Sequence, residues 1–301
     1  WIYKGHESVP WCPRCETAIS QHEMLTEDYK ELVHESIILK FRIQNSELKN
    51  KKEFLLVWTT TPWTIPANIA VAVDIKADYS LVQDGEDKDS YYWVMNALVK
   101  EVFKVNKVYK VIKTVKGKEL VGLKYSSPFD SLPAVKEVAE KNPKTFHTVV
   151  PTDDQIMPIS STEGTGLVHT AVSAGTEDFM LGKKLGLPMI PVIADNADYL
   201  PGLGFFSGQN AKKHPEIILD FLREEDKKGN DCVFNIFRYK HRYPACWRCK
   251  TELVWKVEDE WYVAMDKGET TLRERMIKVA KSIKWMPEFG LDRELDWLKN
   301  M

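Results

Sequence analysis

The apolar positions of this chain come mostly in short runs separated by polar turns, and seldom in helical stripes. Ile37-Ile38-Leu39-Lys40-Phe41-Arg42-Ile43, Phe54-Leu55-Leu56-Val57-Trp58 and Tyr91-Tyr92-Trp93-Val94 are β-branched or aromatic runs and predict strands. Tyr109 to Val115 alternates as a half-buried strand does, with a short helix expected over Asn96 to Phe103 before it. Ile190 to Ile193 reads as another buried strand. Helical signals are fewer. Thr176 suits an N-cap, with Glu177 and Asp178 in the first turn, where the helix dipole favours anions. Pro215 suits the first position of a helix running to about Glu225. Thr251 to Met265 alternates as a hairpin would, and Glu269 to Ser282 is amphipathic. Trp1 to Ser20, punctuated by proline and glycine, reads as a loop. The pattern predicts a mainly β protein with peripheral helices (α+β). Its expected layout is a leading segment (1–30), a strand-rich domain (31–230) and a trailing segment (231–301).

At 301 residues, 44% hydrophobic, the chain is long enough to bury a substantial core. Its 42 basic and 44 acidic residues leave a net charge of −2, which argues against nucleic-acid binding through a bulk field. No apolar run reaches the roughly 18 residues of a membrane span, so no membrane partner is expected. The chain starts at Trp1, and Asp292 to Met301 reads as an interrupted amphipathic segment. Both ends therefore look like cuts in a longer polypeptide.

Four of the 5 cysteines form two pairs, Cys12-Pro13-Arg14-Cys15 and Cys246-Trp247-Arg248-Cys249. A Cys-x-x-Cys turn aims two thiolates at one point, and two such turns complete a tetrahedral structural zinc site. The long separation of the pairs makes the metal a clip across the two ends of an inserted domain. Redox pairs and unrelated surface cysteines are the alternatives, but a thioredoxin-like βαβ context is missing. This usage fits a reducing, cytoplasmic compartment. Cys232 reads as an ordinary buried residue.

Two segments carry candidate chemistry. Residues 58–68 read Trp-Thr-Thr-Thr-Pro-Trp-Thr-Ile-Pro-Ala-Asn, so three hydroxyls stand at a strand end where Pro62 breaks the ladder. Residues 164–178 begin Gly-Thr-Gly-Leu-Val-His and end Glu-Asp, placing His169 after a strand and Asp178 in the first turn of a helix. A carboxylate there could hold an ammonium group. Taken singly, such a histidine is more often a satisfied core residue and such an aspartate a helix cap.

Together with W-C-P-R-C near the start, these segments resemble the editing domain of isoleucyl-tRNA synthetases. The related valyl and leucyl enzymes usually carry a T-T-R-P version of the threonine motif, whereas Thr61 and Trp63 stand here. One departure is Ala171-Val172, where the family commonly has Ala-Pro. The resemblance implies a closed, largely antiparallel β-barrel beside a small zinc-ribbon-like module. It implies hydrolysis of valine from the 3′ end of the tRNA for isoleucine. Thr60, Thr61, His169 and Asp178 would be catalytic, with Trp58, Thr59, Trp63 and Asn68 also binding substrate. Cys12, Cys15, Cys246 and Cys249 would hold zinc. The expected partners are that tRNA and the catalytic core of the synthetase, the chain itself being a monomer. No H-I-G-H or K-M-S-K-S motif occurs, so amino-acid activation is expected to lie outside these residues. A basic row, Arg238, Lys240, Arg242, Arg248 and Lys250, is a candidate for phosphate contact. Two alternatives remain open: an RNA-binding module on a zinc ribbon, and a valine-enzyme relative acting on threonine.

Overall fold

A computed structural model of the chain describes residues 1–20, 23–24, 29–44, 46, 48, 51–104 and 108–300. Its strands are β1 (Ile2–Cys12), β2 (Thr17–Ala18), β3 (Tyr29–Ile43), β4 (Lys52–Thr59), β5 (Ala70–Val73), β6 (Asp78–Asp84), β7 (Ser90–Met95), β8 (Tyr109–Lys116), β9 (Tyr125–Ser126), β10 (Thr148–Pro151), β11 (Leu167–Thr170), β12 (Val233–Pro244) and β13 (Val254–Val263). Its α-helices are α1 (Val99–Val102), α2 (Pro133–Lys141), α3 (Thr176–Leu185), α4 (Ile217–Lys227), α5 (Leu272–Ser282) and α6 (Gly290–Asn300).

The large sheet forks at β4. Phe54 to Val57 are all buried, so both faces of β4 are covered, which is why its sequence is an unbroken apolar run. One edge pairs antiparallel with β3, from Arg42↔Phe54 to Ile37↔Thr59. The other edge pairs parallel with β7 over its first half and, at Trp58, parallel with Val168 of β11. β7 continues through β6 to β8, while β11 continues through β5 to β10. β3 also pairs with β12 along its first part and with β9 at its end. The result is a curled half-barrel, antiparallel apart from the β4–β7, β4–β11 and β5–β10 pairings. One apolar cluster, including Ile37, Leu39, Phe41, Leu55, Val71 and Tyr79, fills the curl.

The chain divides into two compact units, Ser8–Val257 and a smaller one made of Trp1–Glu7 with Glu258–Met301. In the smaller unit α5 starts at Thr271, whose hydroxyl accepts from Glu274 N–H while the Glu274 carboxylate accepts from Thr271 N–H. This reciprocal cap satisfies two otherwise unpaired donors.

Several local expectations change. The opening segment is not a loop, since β1 runs straight into the first cysteine turn. Thr251 to Met265 holds no hairpin; β13 is one strand in a three-stranded sheet with β1 and β2. Ile190, Val192 and Ile193 are buried but outside any strand, with only an Ile193↔Tyr199 bridge. Gly175, not Thr176, is the N-cap of α3. Pro215 lies two residues before α4. The misreadings at 190–193 and 251–265 share a cause: alternation and burial report the faces of a segment but not whether a pairing partner is in reach.

Candidate active site

β4 ends at Thr59, and its Oγ1 accepts from Thr61 N–H at 3.1 Å, a local turn that competes with further strand. The following 3₁₀ turn, Pro62–Ala67, is entirely buried. The chain leaves the sheet at the three threonines and returns to it at β5. On the neighbouring strand, β11, His169 lies opposite Val71 of β5. The Ala171 N–H donates to Asp178 Oδ1 at 2.7 Å, tying the end of β11 to the first turn of α3. A Cβ on Gly175 would lie 2.2 Å from Asp178 Oδ2, so glycine lets the carboxylate sit against the backbone.

Trp58, Thr59, Thr60, Thr61, His169 and Asp178 line one cleft of about 440 Å³, within the ordinary range for small-ligand pockets. Gly166 lines it, and Gly164 packs against Trp58 beside it. Both have positive φ (76° and 75°), and a Cβ would come within 2.4 Å of Trp58 or 2.3 Å of Met95. The turn at Ala171-Val172 is closed by Ala174 N–H on Ala171 C=O at 2.8 Å.

Not every candidate reaches the cleft. Asn68 is buried behind His169, with its Nδ2 2.7 Å from His169 Nδ1. Trp63 is buried beside other hollows, and its indole N–H has no hydrogen-bond partner among the described residues. The structure adds residues that the sequence did not single out. Thr64 Oγ1 stands 3.0 Å from His169 Nε2. Tyr239 and His241 of β12 line the cleft, Tyr239 packing edge-on against Trp58. Their alternation with Arg238, Lys240 and Arg242 was visible, but which face turns inward was not. The outward basic row meets acid on β3: Arg238 pairs in register with Glu35 and Arg242 with Glu31, and Lys240 Nζ is 2.8 Å from Glu31.

Within the cleft, Asp178 and His169 are shifted in opposite senses, and burial drives both. It pushes the Asp178 carboxyl up to about 7, against the Ala171 N–H bond that favours the anion. It pushes His169 down to about 4, so the ring is neutral at ordinary pH.

At the other site, Cys12, Cys15, Cys246 and Cys249 bring their sulfurs within 4.8 Å of one another. A tetrahedral zinc with about 2.3 Å bonds needs sulfurs about 3.8 Å apart. The donor set and its spacing therefore fit such an ion. Cys12 and Cys246 sit with Ile19 and Leu253 in a small apolar cluster. Burial pushes the Cys12 thiol up to about 12, and a bound cation would favour the thiolate there. No helix among the described residues is long and apolar enough to cross a membrane.

The family described as tRNA synthetases class I (I, L, M and V) matches residues 1–301, and the chain belongs to it. Among individual relatives, the isoleucine–tRNA ligase of Saccharolobus islandicus is 35% identical over 99% of this chain. Those of Methanocaldococcus jannaschii and Pyrococcus horikoshii are 37% and 38% identical over 97% and 99% of it. The chain spans about a quarter of these relatives (26%, 27% and 26% of their length). Among solved structures, the GlLeuRS-CP1 crystal structure aligns with a TM-score of 0.48 at 15% identity, over 66% of this chain and 98% of that one. The editing domain of the P. knowlesi cytosolic leucyl-tRNA synthetase aligns at 0.47 and 12%, over 70% and 98%.

Proposed function

We propose that this chain is the proofreading part of an isoleucyl-tRNA synthetase, hydrolysing valine from the 3′ end of the isoleucine tRNA. The observation that carries this is the meeting of Thr60, Thr61, His169 and Asp178 in one cleft. Valine is one methylene smaller than isoleucine, so a synthetic site separates them by only about 1–3 kcal/mol; isoleucine against valine is that generalisation's own example. A second site that excludes the larger side chain corrects the remainder.

In this reading the ionised Asp178 holds the substrate α-ammonium, which in turn favours the ionised carboxyl in a buried place. The hydroxyls of Thr60 and Thr61 orient the ester carbonyl and a water, with Thr59 supporting Thr61 through their 3.2 Å contact. Trp58 offers a flat face for the terminal adenosine. Water adds to the ester carbonyl, the bond from carbonyl carbon to ribose oxygen breaks, and that oxygen takes a proton. Free valine and a deacylated tRNA result. An aminoacyl ester is already activated, so positioning carries much of the acceleration.

His169 acts as a wall and moves no proton. Both its ring nitrogens are engaged within the protein, at 2.7 Å and 3.0 Å. Asn68 supports that wall from behind, and the buried Trp63 supports the threonine turn. The four cysteines would hold a structural zinc, which supplies cross-linking and no catalysis.

The wider fold and partners follow the same reading. Closure of the curl into a barrel is supported by the Lys124↔Thr148 bridge and by Val149 N–H on Leu123 C=O at 2.9 Å. Exposed Trp261, Met286, Phe289 and Trp297 in the smaller unit suit packing against the synthetase's catalytic core. The protein acts in the cytoplasm as a monomer. The acid facing Arg238, Lys240 and Arg242 makes that row a weak phosphate site.

The test is hydrolysis of valyl and isoleucyl esters on the isoleucine tRNA by the chain and by Asp178→Ala. Valine should be released selectively, with kcat/KM falling about 10²–10³-fold in the variant. Tight tRNA binding with no turnover would instead identify a binding module.

A further inference from the structure

Behind the cleft lies a line of buried polar groups that reaches it only at His169, Thr64 and Thr61. The Tyr125 hydroxyl on β9 donates to Asn68 Oδ1 at 2.6 Å. Asn68 Nδ2 donates to Ala70 C=O at 3.0 Å and also faces His169 Nδ1 at 2.7 Å. His169 Nε2 faces Thr64 Oγ1 at 3.0 Å, and that hydroxyl donates to Thr61 C=O at 2.9 Å. Tyr125, Asn68 and Thr64 are all at least nine-tenths buried.

Donor counting leaves one arrangement. A carbonyl can only accept, so Ala70 orients the Asn68 NH₂ group, and Tyr125 must donate to the amide oxygen. The second Asn68 N–H therefore points at His169 Nδ1, which must offer its lone pair. The ring proton is then on Nε2 and goes to Thr64, whose own proton is already committed to Thr61. Tyr125 itself is held rigidly, stacked between Phe41 (ring centroids 5.1 Å apart) and His147 (4.8 Å). His147 Nε2 in turn lies 3.2 Å from the Asn68 backbone carbonyl.

We infer that Tyr125, acting through Asn68, is a positioning residue that locks His169 as the Nε2–H tautomer in one orientation and so sets the size limit of the cleft. The size limit rests on the functional reading above; the tautomer does not. Removal of the hydroxyl leaves a buried amide oxygen unpaired, and the amide gains a reason to turn. The wall then loses its single orientation without any change in the residues that line the cleft.

The test uses the whole 301-residue chain and Tyr125→Phe, with ¹⁵N spectra of the His169 ring and hydrolysis of both esters. The unmodified chain should show one tautomer, protonated at Nε2. Tyr125→Phe should populate the second tautomer and narrow the preference for valine over isoleucine by about fivefold. A folded Tyr125→Phe protein with the original tautomer and selectivity would overturn the inference. If that variant does not fold, Asn68→Asp keeps the shape and should move the ring proton to Nδ1; a ring still protonated only at Nε2 would sink it equally. Absence of ester hydrolysis by the unmodified chain would count against the functional reading, while the spectra would still decide the tautomer.

Discussion

The cleft and the cysteine cluster assemble distant segments by opposite means. The cleft joins residues 58–64 to residues 164–178 because β4 and β11 are neighbouring strands in a covered sheet. Its geometry is complete within the protein: hydrogen bonds use both nitrogens of His169 and hold one oxygen of Asp178. The cysteine cluster joins Cys12 and Cys15 to Cys246 and Cys249, and its apolar support is small: Ile19, Leu253 and the two buried sulfurs. One site is held by the core and needs nothing else. The other brings four sulfurs within 4.8 Å of one another, a donor set that fits an ion.

The comparison breaks most sharply under a chelator. Metal removal, or Cys246→Ser, should loosen residues around the knuckles, where a structural zinc contributes on the order of 10 kcal/mol. Hydrogen exchange should rise there and stay slow at Phe54 to Val57. Equal loss of protection in both regions would mean that the core depends on the clip as well. Zinc at one equivalent per chain is expected by elemental analysis.

A smaller effect is expected at the cleft wall. His169→Ala should admit the isoleucyl ester and lower the preference for valine by about 1–3 kcal/mol. Because the ring moves no proton in this reading, valine hydrolysis should persist. Loss of both activities would show that His169 does more than exclude.

An effect of similar size concerns pH, and its sign separates Asp178 from His169. The Asp178 carboxyl is raised to about 7, so the folded state holds that proton more tightly than the unfolded chain. Asp178 therefore lowers stability as pH rises from about 4 to 7. His169 is depressed to about 4 and does the reverse, its contribution being lost as pH falls from about 6.5. In the native chain the two slopes oppose each other. Asp178→Asn should stabilise the protein at pH 8 by on the order of 2 kcal/mol and expose the histidine slope in urea melts at pH 4 to 8. For ester hydrolysis, kcat/KM should fall below a pH of about 7, as Asp178 takes up its proton. A flat profile would remove Asp178 from the binding step.

Much of this site was legible as residue types. The threonine run at a strand end, the histidine after Gly-Thr-Gly and the aspartate opening a helix each follow from local rules of pairing, turns and capping. Asn68 was grouped with the substrate contacts by the resemblance alone, yet it lies behind the histidine. Tyr125 carried no signal, because a tyrosine in a two-residue strand looks like any core aromatic until its hydroxyl has a partner. The basic row showed its charge but not the Glu31 and Glu35 that face it across β3.

By itself the sequence determined the kinds of chemistry present: thiols in ligand spacing, hydroxyls at a broken strand, an acid at a helix start. These depend on covalent structure and on backbone preferences within a few residues. Only the tertiary structure decided which groups face the cleft, which support it from behind, and where each pKa lies. Those properties depend on burial and on partners contributed by distant segments: Ala171 for Asp178, Thr64 and Asn68 for His169, and Tyr125 for Asn68. A local pattern cannot encode such partners, because desolvation and hydrogen-bond geometry arise only once the sheet has curled around them.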